Sequence, residues 1–360
     1  MGSNKTPIFY KDKPLFGFDI GTGSVKVMQV DTEHHGKPVV SGYGTAFFDP
    51  KNVINEGEIL NPETVAKSVL ELFKNGLVGD ISSHRMAISV PAAHTYTREM
   101  QLPKMPGKEL HQAIVSEAEQ YIPRPLDELY LDYTVNDSTT SEVSVYTVAV
   151  PRRIVDSYML LSRILGLEAV LVEPSISAST RLLTLGDTDE PVPSVFIDFG
   201  TKSADISIFH KYVTVTGTVA SGGDLFTDKI KEALGVTERE AALIKSKYGL
   251  GLSKKQTEIR AAVDPLLSQM NREIRRMIRY YEERSGEGKN KIDQVITTGG
   301  GANMPGLTDY LTEHLRLPTR MFDPWQVLDY GKLQPPNYAE RSLYMTVAGL
   351  ALAEPKEVFA

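Results

Sequence analysis

The sequence predicts an α/β protein of two lobes built on one duplicated unit, with a small α/β module inserted in the first. Three observations carry that expectation. The chain has 360 residues, more than one hydrophobic core usually serves, so two lobes of roughly 150–200 residues are expected. The stretch DIGTGSVKV at residues 19–27 returns in altered form as DFGTKSADI at residues 198–206. Each copy sits in the same order of strand, turn, strand, strand and helix, and the repeat is too long and too few in copy for a solenoid.

In the first copy, residues 15–20, 25–30 and 39–48 are short β-favouring runs separated by GTGS and TEHHGKP, the pattern of an antiparallel meander. His34 and His35 fall in the second turn. NPETVAKSVLELFKNG opens on Asn61 and Pro62, puts Val65, Val69, Leu72 and Phe73 on one face and stops at Gly76, which reads as a helix. A strand at 86–90 completes the unit. The module at 91–155 begins with the helix GKELHQAIVSEAEQY, with Leu110, Ile114, Ala118 and Tyr121 on one face, and continues with strands at 132–135 and 143–150.

The second copy repeats the grammar, with strands at 195–198, 205–209 and 213–219 and the helix GGDLFTDKIKEALG closed by Gly235. A long helix over 263–283 carries Val263, Leu267, Met270, Ile274, Met277 and Tyr281 at helical spacing, with Arg272, Arg275, Arg276 and Arg279 largely elsewhere. A strand at 294–298, three glycines and a helix from near Pro305 follow, then the Pro-rich surface connection LDYGKLQPPNYAERS. The boundaries expected are a flexible N-terminus at 1–14, a first lobe at 15–90, the insert at 91–155 and the first lobe resumed with a connecting helix at 156–190. A second lobe follows at 191–335, and 336–360 forms a connecting helix back to the first lobe and a tail.

The chemistry lies in the turns. A strand ending in Asp19 or Asp198 delivers a carboxylate at its tip, and Gly21 or Gly200 lets the chain fold tightly enough for successive N–H groups to converge. Thr22, Gly23 and Ser24, and likewise Thr201, Lys202 and Ser203, then offer the small side chains and free donors that cradle phosphate oxygens. Lys26 adds a charge, and a carboxylate beside phosphates suits a hydrated Mg²⁺. A single such turn is more often a hairpin with a satisfied Asx-turn. Two copies, able to face each other across a cleft, favour the phosphate site. Gly299, Gly300 and Gly301, placed between a strand and a helix, would let a ring or ribose lie against bare backbone.

Composition narrows the function. Apolar residues at 41% and charged residues at 24% are ordinary for a folded protein, and the net charge of −7 argues against a general nucleic-acid binder. The four arginines of the long helix have Glu273, Glu282 and Glu283 interleaved and read as a solvated face. With no cysteine there are no disulfides or thiolate metal sites, and no His-x-x-x-His pair is present among seven histidines. Neither a signal peptide nor an apolar run near the roughly 20 residues of a membrane span is found. The expected location is cytoplasmic.

At these residues the chain resembles the actin, Hsp70 and sugar-kinase ATPase superfamily, whose fold is the actin-like (ribonuclease H-like) one. DIGTGSVK resembles its first phosphate motif, DFGTKSAD the second and TTGGGANMPG, which includes Asn303, the adenosine motif. LVEPSISAST and TVAGLALA resemble its two connecting helices. Within the superfamily the chain is most similar to the PilM family of type IV pilus assembly proteins, and next to the cell-division protein FtsA. EAEQYIP, at residues 117–123, resembles the signature of the PilM insert.

The resemblance implies ATP and Mg²⁺ as cofactors, with Asp19 and Asp198 holding the metal's waters. It also implies that Glu173 and Asp198 serve slow hydrolysis, Glu173 by positioning water; an N-cap partner before Pro174 is the structural alternative for Glu173. Lys245 in AALIKSKYG matches a ribose-contacting position, although the family's acidic residue is replaced by Ala242. Glu117, Tyr121 and Pro123 would take part in binding the cytoplasmic N-terminal peptide of a PilN-like inner-membrane protein, holding the chain at the inner face of that membrane. Pilus motor ATPases and self-association are further implied partners. An FtsA-like filament protein is the alternative, and a small-molecule kinase a more distant one. The tail EPKEVFA is too short for a membrane-anchoring helix.

Overall fold

The computed structural model describes residues 14–32, 36–186, 192–284 and 291–354. His34, His35, the segment before residue 14 and the tail after Glu354 lie outside the described residues. The chain divides into two compact units. One comprises Met1–Gly186, Pro324–Pro336 and Tyr344–Ala360, and the other Asp187–Asp323 and Asn337–Leu343.

Unit one begins with the meander β1 (Phe16–Ile20), β2 (Ser24–Asp31) and β3 (Val39–Phe47), followed by a small hairpin, β4 (Ile54–Asn55) and β5 (Glu58–Ile59). Helix α1 (Pro62–Glu71) starts where the Asn61 side chain accepts the Thr64 N–H at 3.0 Å, and it ends in one wide π-turn, Leu72–Gly76. β6 (Val78–Gly79) pairs with the edge of β3, and β7 (Arg85–Val90) lies parallel to β1. Phe16, Phe18, Val65, Val69, Met86 and Ile88 are buried together, because the period of two on the strands and the helical period of α1 turn their apolar sets to one layer.

The insert is a sheet of β8 (Tyr96–Pro103), β9 (Leu129–Ser138) and β10 (Glu142–Pro151) in the order β8-β10-β9, with α2 (Gly107–Tyr121) burying Leu110, Ile114 and Ala118. Helix α3 (Arg152–Leu165) returns the chain to the first core through Ile154 and Tyr158, and β11 (Glu168–Pro174) then adds in parallel to β7 before α4 (Ser175–Gly186).

Unit two repeats the plan. β12 (Ser194–Phe199), β13 (Ala204–His210) and β14 (Tyr212–Val219) form its meander, followed by α5 (Gly223–Leu234), α6 (Glu238–Lys247), α7 (Gln256–Arg284), β15 (Gln294–Thr298), α8 (Leu307–Leu315) and β16 (Thr319–Met321). Its sheet order, β14-β13-β12-β15-β16, matches β3-β2-β1-β7-β11 of unit one, with the first strand of each meander parallel to its outer neighbour. The repeated motif therefore reflects a repeated sheet.

After α9 (Tyr338–Arg341) in unit two, the chain returns to unit one as α10 (Met345–Ala351). α10 packs against β1 and α4 at backbone distance. A Cβ on Gly17 would lie 2.1 Å from the Val347 carbonyl oxygen, and one on Gly349 would lie 1.9 Å from that of Ala178. The Ser179 and Thr346 hydroxyls hydrogen-bond at 3.0 Å across the same contact.

Candidate functional site

In unit one, β1 and β2 are joined by a turn in which the Gly21 N–H donates to the Ser24 carbonyl at 2.8 Å. The N–H groups of Thr22 and Gly23 donate to no other described residue. Two neighbouring amides left without a protein acceptor are what an anion cradle requires, so the turn fits a phosphate. Asp19 lies beside it, accepting a hydrogen bond from the Ser89 hydroxyl at 2.6 Å and facing the Lys26 ammonium at 3.5 Å. That ammonium also lies 3.5 Å from the Ser24 hydroxyl, and the Lys26 side chain is only 9% exposed. The Tyr158 hydroxyl, buried with no hydrogen-bond partner, has its ionisation pushed up by burial and, secondarily, by the charge of Asp19.

In unit two, the Gly200 N–H donates to the Ser203 carbonyl at 2.9 Å, and the Thr201 and Lys202 amides again donate to no other described residue. The start of α5 closes on this turn. The Gly223 N–H reaches the Gly200 carbonyl at 3.0 Å and the Asp224 N–H reaches that of Thr201 at 2.9 Å. Only glycine fits at 222, where a Cβ would fall 2.3 Å from the Thr201 oxygen. Asp198 lies against the glycine turn: Gly299 has φ +82, and a Cβ there would fall 2.3 Å from Asp198 Oδ1. The turn is tied from behind, with the Ser342 carbonyl accepting the Gly299 N–H at 3.3 Å and the Thr298 hydroxyl at 3.2 Å.

The remaining expected residues have defined partners. Lys245 donates to the Gly223 carbonyl at 2.6 Å and the Thr227 hydroxyl at 2.8 Å, which leaves one of its three protons for a ligand. Burial lowers its pKa, and Asp224 partly opposes this. Burial raises the Asp224 carboxyl, with Lys245 opposing. The Asn303 amide donates at 2.9 Å both to the Ala339 carbonyl and to the Ser342 hydroxyl, fixing residues 337–343 beside the glycines. Gly300 is the least constrained of the three, since a Cβ there meets only the end of Leu343 at 3.0 Å.

Glu173, near the end of β11, is gripped by Arg181 of α4 through two bonds of 2.8 and 3.1 Å, and Arg181 also donates to the Gly349 carbonyl at 2.7 Å. Its carboxylate thus fastens β11, α4 and α10. In the insert, Glu117 and Tyr121 are half-buried and Pro123 is exposed. Tyr121 packs under the Arg98 guanidinium, 4.9 Å from its ring, and its hydroxyl meets that of Thr147 at 2.9 Å.

Sequence reasoning did not identify Ser89, Arg181, Thr227 or the pair Gly222 and Gly223. A serine within the apolar run Met86–Val90 of β7 was a usable signal for Ser89, and two glycines ahead of a helix for the pair. Glu173 and Arg181 lie eight positions apart across a strand-to-helix junction, so no helical spacing marks them. Among the described residues no cluster of three or more His, Cys, Asp or Glu side chains could hold a metal ion. The donor set suits only a cation that keeps most of its waters.

A family model described as type IV pilus assembly protein PilM matches residues 17–354. Among solved structures, the chain is similar to the PilM-PilN type IV pilus biogenesis complex, with TM-score 0.79 and 21% identity over 94% of this chain and 97% of that one. It is also similar to the ethanolamine utilization protein EutJ from Carboxydothermus hydrogenoformans, with TM-score 0.54 and 16% identity over 97% and 94%. MreB5 of Spiroplasma citri bound to ADP gives TM-score 0.52 and 13% identity over 94% and 95%. With these neighbours, the α/β fold is the actin-like one expected from the sequence.

Proposed function

Because the chain belongs to the type IV pilus assembly protein PilM family, we propose that it is an ATP-binding component of pilus biogenesis that docks through its insert on the cytoplasmic N-terminal peptide of a PilN-like inner-membrane protein. The observation that carries this reading is the family match over 17–354, a span that includes both phosphate-type turns, the glycine turn and the insert. The solved PilM-PilN complex supports the choice of partner, and the ADP bound to the MreB relative supports nucleotide binding. The filament and kinase alternatives are not favoured.

In this reading the free amides of Thr22, Gly23, Thr201 and Lys202 receive phosphate oxygens, Lys26 adds positive charge, and the backbone at Gly299–301 takes the nucleoside. Asp19 and Asp198 would hold waters of a Mg²⁺, which neutralises phosphate charge when bound. Glu173 orients water only to the extent that Arg181 releases it, so hydrolysis is slow and the nucleotide acts mainly by shifting conformational populations. No helix among the described residues is long and apolar enough to cross a membrane, and the proposed place at the inner face of the inner membrane comes through the partner. Pilus motor ATPases and a second copy of the chain are further proposed partners.

Two measurements test the reading. Denaturing freshly purified protein should release intact ATP; if nothing is released and Mg-ATP titration also fails, the nucleotide assignment falls. A PilN-type peptide should bind the wild type, and Glu117→Lys with Pro123→Ala should weaken it. Full-affinity capture by a folded chain lacking the insert would refute the docking site.

A further inference from the structure

We propose that the outer face of α7 in unit two is a second docking surface, one that takes an acidic segment of a partner protein. A cavity of about 950 Å³ is lined there by Arg272, Arg275, Arg276 and Arg279, above an apolar floor that includes Leu315 and Leu317. All four arginines are exposed, on a chain whose net charge is −7.

Their commitments differ. Arg276 pairs with Glu273, and Arg275 donates to the His314 carbonyl. Among the described residues, Arg272 and Arg279 have no carboxylate or carbonyl partner. Seven positions apart on one helix, they are separated by about 10 Å along its axis. A peptide in the polyproline II conformation rises about 3.1 Å per residue with three residues per turn, so carboxylates at positions i and i+3 lie on one face at a spacing that matches the two guanidiniums, with the residues between them beside the apolar lining. Guanidinium also suits this task by its planar, bidentate fit to carboxylate.

A nucleic acid fits less well, because Glu273 and Glu282 line the same cavity and no aromatic side chain offers a stacking platform. An anionic lipid surface fits less well too, because the leucines are half-buried and packed against the unit-two core, not offered to a bilayer. The lining residues belong neither to the phosphate-type turns nor to the insert, so the proposal stands whether or not the PilN-type peptide binds.

The probe is a fluorescent peptide of about 12 residues repeating Glu-Leu-Ser, measured by anisotropy against the full chain beside its Gln-Leu-Ser counterpart, an oligothymidine and phosphatidylglycerol vesicles. We expect the acidic peptide to bind the wild type, and Arg272→Glu with Arg279→Glu to weaken it about tenfold or more. Binding should fall as salt rises from roughly 0.05 to 0.5 M. If the charge reversals fail to fold, Arg272→Gln with Arg279→Gln serves instead. Absence of binding by the acidic peptide, equal binding by a folded variant, or tighter binding of the oligonucleotide or vesicles overturns the proposal.

Discussion

Asp205 shows how a repeated motif can carry different chemistry in its two copies. It opens the second strand of the unit-two meander opposite Asp198 and accepts the Thr218 hydroxyl at 2.7 Å. Burial pushes its pKa up to about 6, with the Thr218 bond opposing. A raised carboxyl pKa means that the folded state holds the proton more tightly than the unfolded one. Its contribution to stability is therefore present below about pH 4 and is lost as pH rises to about 6. Asp205→Asn should remove that slope in urea titrations and, at pH 7.5, raise stability by roughly 1–2 kcal/mol. Gly299 gives the second test at this scale. Its left-handed φ and the Asp198 oxygen 2.3 Å from any Cβ predict that Gly299→Ala abolishes ATP-dependent thermal stabilisation, whereas Gly300→Ala retains it. Asp19, Asp198 and the three glycines were singled out in the sequence, and Asp205 was not. Ser89 and Arg181 were not, because each reaches its partner through strand pairing or helix packing that joins residues with no local pattern.

Among the elements, those whose own residues repeat at a clear period were predicted within a few positions, including the two meanders, α1, α2 and α5, whereas α7, expected from 263, begins two turns earlier at Gln256. β8 was missed. In TYTREMQLP only Met100 and Leu102 are buried, so alternation is too brief to read, and the strand exists because β10 pairs along its length. β9 was read as four residues and runs from Leu129 to Ser138, since it is the other neighbour of β10 and half of it faces outward. The contact of α10 with α4 was likewise invisible, because a glycine in a helix signals nothing about what approaches it. Gly349→Ala should cost about 2 kcal/mol or more, since its Cβ would meet the Ala178 carbonyl and neither backbone can yield without moving a helix. Chemical denaturation monitored by circular dichroism reads this directly.

On the scale of the molecule, the duplication was legible and so was its meaning: two sheets of one order with one kind of turn at corresponding strand ends. If ATP stands about 1,000-fold above its dissociation constant, it should add roughly 4 kcal/mol of stability, seen as a rise in melting temperature that Asp19→Asn diminishes. The path of the chain was less legible, because unit one is interrupted: residues 337–343 belong to unit two, and α10 belongs to unit one again. This path bears on the birth of the protein. Domains commonly fold in the order in which they leave the ribosome, yet β1, made before unit two, receives the carbonyl of Val347 against Gly17 only after unit two has been made. Unit one is begun before unit two and completed after it, and a nascent chain arrested before Met345 would hold a completed unit two and an open unit one.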